Sequence, residues 1–85
     1  MKSPEVTIYS RKGCHLCENV VVLLAPLQTE LGFTLREVLI DGDQELENLY
    51  GQLIPVVHVN EKYFSHFYVD LDEFKSFLEK HHPHQ

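Results

Sequence analysis

Val6-Thr7-Ile8-Tyr9-Ser10-Arg11-Lys12-Gly13-Cys14-His15-Leu16-Cys17 is the stretch that decides the fold. Val6 to Tyr9 is short and rich in β-branched and aromatic residues, the pattern of a strand. Ser10 to Gly13 breaks it. From Cys14 a helical pattern runs to about Leu31, with Cys17, Val20, Val21, Leu24, Leu27 and Leu31 recurring at spacings of three and four. The two cysteines therefore stand at a helix start, at i and i+3, on one helical face. Two sulfurs so placed can reach bonding distance, or one can resolve a mixed disulfide formed on the other. Cys14 faces the unpaired N–H groups and the positive dipole end of the helix, and Arg11 and Lys12 precede it. In such settings a thiol pKa falls from about 8.5 into roughly 3.5–7.5. Cys14 is accordingly expected to be the nucleophile, and Cys17, one turn deeper, the buried resolving thiol. A second reading of the pair is metal binding. A tetrahedral site needs two further ligands, and His15 sits on the wrong side of the turn to join both sulfurs, while His81, His82 and His84 are distant in sequence.

Working outward, Pro26 interrupts the helical run and is expected to kink it, and Gly32 supplies its stop. Thr34 to Ile40 alternates as a second strand, with Phe33, Leu35 and Leu39 expected on one side. Asp41-Gly42-Asp43 is a turn, and Asp43 caps a short helix through Tyr50, closed by Gly51. Pro55 to Val59 is a third strand opened by a proline, Asn60-Glu61 a hairpin turn, and Lys62 to His66 a fourth strand. Asp70 to Lys80 is a final helix with Leu71, Phe74, Phe77 and Leu78 on one face. The order is βαβ followed by αββα. Two strands joined by a helix are parallel neighbours, and the last two form an antiparallel hairpin. The expected architecture is α/β, a four-stranded mixed sheet flanked by helices. His58 on the third strand is expected to be packed, Tyr9 likewise, and His81 to His84 to form a frayed tail.

Composition narrows the function. At 85 residues there is room for one domain, here 1–85, which buries roughly 60% of its unfolded surface. The formal charge of −6 repels phosphate, so neither nucleic acid nor an anionic membrane is an expected partner. No apolar run approaches the roughly 18–20 residues of a membrane span. Met1 to Glu5 carries no signal core, so the expected compartment is the cytoplasm, or an organelle after removal of a presequence. Two cysteines three positions apart close almost no loop, which points away from a disulfide-stapled secreted scaffold.

Residues 6–17 closely resemble the opening strand and active-site loop of glutaredoxins, in which an aromatic residue, Ser or Thr, and Lys or Arg precede a Cys-x-x-Cys. The likeness continues at Ile54-Pro55-Val56, at Asn60 and at Asp70-Leu71, so it spans nearly the whole chain. It is similar to a divergent, short branch that carries Cys-His-Leu-Cys. The resemblance implies a thioredoxin fold, a cis Ile54–Pro55 bond beside the sulfurs, and a monomeric dithiol oxidoreductase that acts on glutathione or protein disulfides without a tightly bound cofactor. The exposed backbone at Ile54 would pair with an extended substrate. A non-enzymatic module holding an iron–sulfur cluster through Cys14 is the alternative that the family offers.

Two departures stand out. His15-Leu16 replaces the usual Pro and aromatic residue, and a protonated His15 beside a thiolate would favour the reduced form. Ser65-His66, followed by Phe67-Tyr68, stands where glutaredoxins carry a Gly-Gly pair that approaches glutathione through its backbone. Arg11, Lys12, His15, Ile54, Pro55 and Asp70 are then the residues that the resemblance leaves to hold glutathione.

Overall fold

The computed structural model describes residues 3–80. The expected tail at His81 to His84 lies outside the described residues. Strand β1 (Glu5–Ser10) leads into helix α1 (His15–Leu24), a 3-10 turn over Ala25–Leu27, and α2 (Gln28–Leu31). Strand β2 (Thr34–Leu39), helix α3 (Gln44–Tyr50), strands β3 (Val56–Val59) and β4 (Lys62–His66), and helix α4 (Leu71–Lys80) complete the chain. The single helical run expected from Cys14 to Leu31 is thus broken at Pro26. A proline there lacks the N–H for the ladder, and the backbone tightens into the 3-10 turn instead. Gln28 clasps the break. Its Nε2 donates to the Ala25 carbonyl at 3.1 Å, and its Oε1 accepts from the Leu35 N–H at 3.1 Å. The run ends at Gly32, which is left-handed.

The sheet order is β2-β1-β3-β4. β1 and β2 are parallel, whereas β1–β3 and β3–β4 are antiparallel. This is the mixed sheet that the βαβ-αββα order requires. Asn60 and Glu61 both take positive φ, 52° and 68°, the twist of a two-residue hairpin turn that matches the flanking strands. β2 is an edge strand, and Leu39, expected on the apolar side, is exposed. Its neighbour Ile40 is the buried residue instead, held by a hydrogen bond from its N–H to the Ser10 carbonyl at 2.8 Å.

The alternation of β1 and β3 divides the molecule. Val6, Ile8, Val57 and Val59 face Val20 and Leu24 of α1, Phe33, and Phe74 and Leu78 of α4, and together these form the core. The other face carries Tyr9 and His58, covered by Tyr50 of α3. Tyr9 lies 4.8 Å from the Tyr50 ring and 5.2 Å from His58. The Tyr50 hydroxyl and His58 Nε2 stand 3.4 Å apart. Burial lowers the pKa of His58 and, by the same loss of solvation, raises that of Tyr50.

His58 therefore folds as the neutral base. The unfolded chain takes up this proton near 6.5, the folded chain only at lower pH. Its contribution to stability is present above that value and is lost as pH falls below it toward the folded pKa. Thermal unfolding followed from roughly pH 8 to 5 should decline less steeply in His58→Gln than in the parent. Identical slopes would remove His58 from this account.

Candidate active site

The site is built at the carboxyl end of β1. Tyr9 pairs with Val56 in the antiparallel register, so Pro55 lies across from Ser10, at the mouth of the loop that carries the cysteines. The Ile54–Pro55 bond is cis. Pro55 is buried, and its carbonyl accepts the N–H of Phe67 at 2.9 Å, which ties the segment after β4 to the same end of the sheet.

Gly13, at φ +73°, turns the chain into α1 where a side chain would be strained. Cys14 is the N-cap. Its backbone is extended, and its Sγ accepts the N–H of Cys17 at 3.2 Å. Cys14 is half-buried, whereas Cys17 is 1% exposed and packed within α1's inner face. The two are joined as a disulfide, with their Cα atoms 5.2 Å apart. The positions given to them by the helical spacing are thus the observed ones: an accessible sulfur at the positive end of a helix and a shielded one a turn deeper.

The residues expected to surround them are placed unequally. Arg11 is directed onto α3. Its two terminal nitrogens donate to the two carboxylate oxygens of Glu47 at 3.1 and 2.8 Å, and one also reaches the Gly51 carbonyl at 3.3 Å. Asp41 lies 3.9 Å from it. The Glu47 hydrogen bond raises the Arg11 pKa; desolvation opposes it next, and the charges of Glu47 and Asp41 add to the rise. The cation that the resemblance assigns to glutathione is therefore satisfied within the protein. It ties the active-site loop to the end of α3, just before the turn that leads to Ile54. Gly51 fits this junction because a Cβ there would lie 2.5 Å from the Glu47 carbonyl oxygen.

Lys12 is exposed, and its N–H donates to Asp41 at 2.9 Å. The His15 side chain is 95% exposed, with Nδ1 3.9 Å from Glu18. Asp70 accepts the Glu73 N–H at 3.1 Å and so caps α4. Ile54 is half-buried. Sequence reasoning missed Asp41 and Glu47, which hold the loop. Both lie far along the chain, and no local pattern links them to Arg11. It also missed the conformation of Phe67, whose φ of 71° is rare for a bulky residue and carries no local sequence signal. Among the described residues, no three metal-ligating side chains come together. No helix in that range is long and apolar enough to cross a membrane.

The family model for the glutaredoxin-like domain (DUF836) matches residues 5–81. An uncharacterized protein of Mycobacterium tuberculosis is 33% identical over 75 residues, covering 82% of this chain and 77% of its own length. A protein of Nitrosomonas europaea, solved by solution NMR, superposes with a TM-score of 0.80 at 32% identity, covering 91% of this chain and 93% of that one. A thioredoxin of Halobacterium salinarum superposes at 0.67 with 16% identity, over 99% of this chain and 79% of its own. At that identity the likeness speaks for the thioredoxin fold alone.

Proposed function

This chain belongs to the glutaredoxin-like domain family, and from that premise we propose that it is a dithiol thiol–disulfide oxidoreductase. The fold and its cysteine pair point to redox chemistry in general. The dithiol mechanism is supported by the unequal surroundings of the two sulfurs, Cys14 accessible at the N-cap and Cys17 enclosed. In the reduced protein the Cys14 thiolate attacks one sulfur of a substrate disulfide. The leaving sulfur departs as a thiolate and takes up a proton, and a mixed disulfide remains on Cys14. Cys17, losing its proton, attacks Cys14 Sγ, releases the second substrate thiol and closes the Cys14–Cys17 disulfide. Two electrons have then passed to the substrate, and an external thiol, glutathione or a protein dithiol, restores the pair.

Thiolate stabilisation at the helix start has its own test. Alkylation of the reduced protein should modify Cys14 first, with a rate that is half-maximal well below the roughly 8.5 of an ordinary thiol. Cys17 should react slowly until the chain is unfolded. A Cys14 profile that follows a free thiol would remove the activation from the mechanism.

A further inference from the structure

Beside the cysteine pair lies a cavity of about 140 Å³ between α1 and the segment that follows β4. Leu16, Asn19 and Leu23 line one wall, and Phe67 and Tyr68 the other. Leu16 is the residue between the two cysteines. It is 49% exposed, and Tyr68 is 70% exposed. The aromatic wall is held in place. Phe67 is left-handed, with its N–H on the Pro55 carbonyl, and Ser65 Oγ donates to the Tyr68 carbonyl at 3.1 Å. Leu16, and Phe67 through its bond to Pro55, thus set this apolar cavity at the end of the sheet that carries the cysteine loop.

The charges nearby argue in the same direction. Arg11 is neutralised by Glu47 and Asp41. Glu18 stands in the first turn of α1, and Asp70 at the start of α4. Lys12 is the one cation of the active-site loop not turned onto α3, on a chain of net charge −6. A tripeptide with two carboxylates meets few partners here, while an uncharged apolar residue meets a cavity.

We infer that the site selects an extended protein segment with an apolar side chain beside its half-cystine, and disfavours glutathione, with Leu16, Phe67 and Tyr68 as the specificity residues. This rests on the oxidoreductase reading and names its substrate. The reduced Cys17→Ser variant stops at the mixed disulfide: Cys14 thiolate plus disulfide gives protein-bound mixed disulfide plus one free thiolate. Its rate is measured by acid quench and mass spectrometry against glutathione disulfide, hydroxyethyl disulfide, and the disulfides of two blocked peptides with Leu or Ala next to Cys. The Leu peptide should react about tenfold faster than either the Ala peptide or glutathione disulfide, the scale on which apolar pockets discriminate. Tyr68→Ala, made in the same background, should bring the Leu-to-Ala ratio close to one. Because this is a ratio of rates on one preparation, partial loss of folded protein cancels. Glutathione disulfide reacting as fast as the Leu peptide, or a ratio that ignores Tyr68, overturns the inference even if hydroxyethyl disulfide reacts readily. No reaction with any of the disulfides overturns the oxidoreductase reading itself.

Discussion

Cys14→Ser should lose disulfide-reductase turnover by on the order of a thousandfold or more, with the fold intact. At Cys14 Sγ, chemistry and structure separate. Cys14 is the N-cap of α1, and its side chain accepts the Cys17 N–H. Serine is among the strongest N-cap residues, so the hydroxyl inherits that role and the helix start is kept. What it does not inherit is the thiolate. A serine hydroxyl is not ionised at neutral pH and forms no stable bond to a substrate sulfur, so the first step has no nucleophile. The measurement is a coupled turnover assay on a protein disulfide with a thiol reductant, beside thermal unfolding of the reduced parent and variant. Unfolding midpoints should agree closely, and activity should vanish. Cys17→Ser should instead fail at the second step and accumulate the mixed disulfide. Retention of more than about a hundredth of parental turnover by Cys14→Ser would end the assignment of Cys14 as nucleophile.

The parts of this site that were legible in the sequence are those fixed by local rules. Val6 to Tyr9 is rich in β-branched and aromatic residues and so forms β1, and i and i+3 spacing sets Cys14 and Cys17 on one face of α1. The resemblance at Ile54-Pro55 implied the cis bond, and the bond is cis. What escaped is set by residues distant in sequence. Arg11 beside the cysteines suggested an anion site, but its fork is closed by Glu47, 36 positions away. Leu39 fits an alternating strand, yet it is exposed at the end of the edge strand β2, and the buried residue is Ile40, tied to Ser10 across the sheet. Phe67 and Tyr68 were visible as the bulky residues that follow Ser65-His66, where glutaredoxins carry a Gly-Gly pair. That they form a wall facing Leu16 depends on the backbone of Phe67, which no local pattern announced.

Two aromatic residues near the end of the chain sharpen the division between core and site. Phe74→Ala should destabilise the protein by about 3–5 kcal/mol, and Tyr68→Ala by no more than about 0.5 kcal/mol. Phe74 has no exposed surface, and its ring meets Phe33 at 5.4 Å and Phe64 at 5.8 Å, both in edge-to-face contact. With Leu78 it closes the core beneath β1 and β3 from α4, and removing the ring leaves a cavity that its packed neighbours only partly fill. A chain of this size has roughly 5–13 kcal/mol to lose, so the substitution takes a large share. At about 4–8 °C per kcal/mol, the unfolding midpoint should fall by about 12–40 °C. Tyr68, by contrast, is mostly in water already, and its truncation removes little from the folded state. Urea unfolding of the two variants, at equal denaturant slope, measures both effects. A loss below about 1 kcal/mol at Phe74 would mean that α4 does not seal the core. A loss of the same size as that of Phe74 at Tyr68 would mean that the aromatic wall is structural support rather than a surface kept open for a substrate.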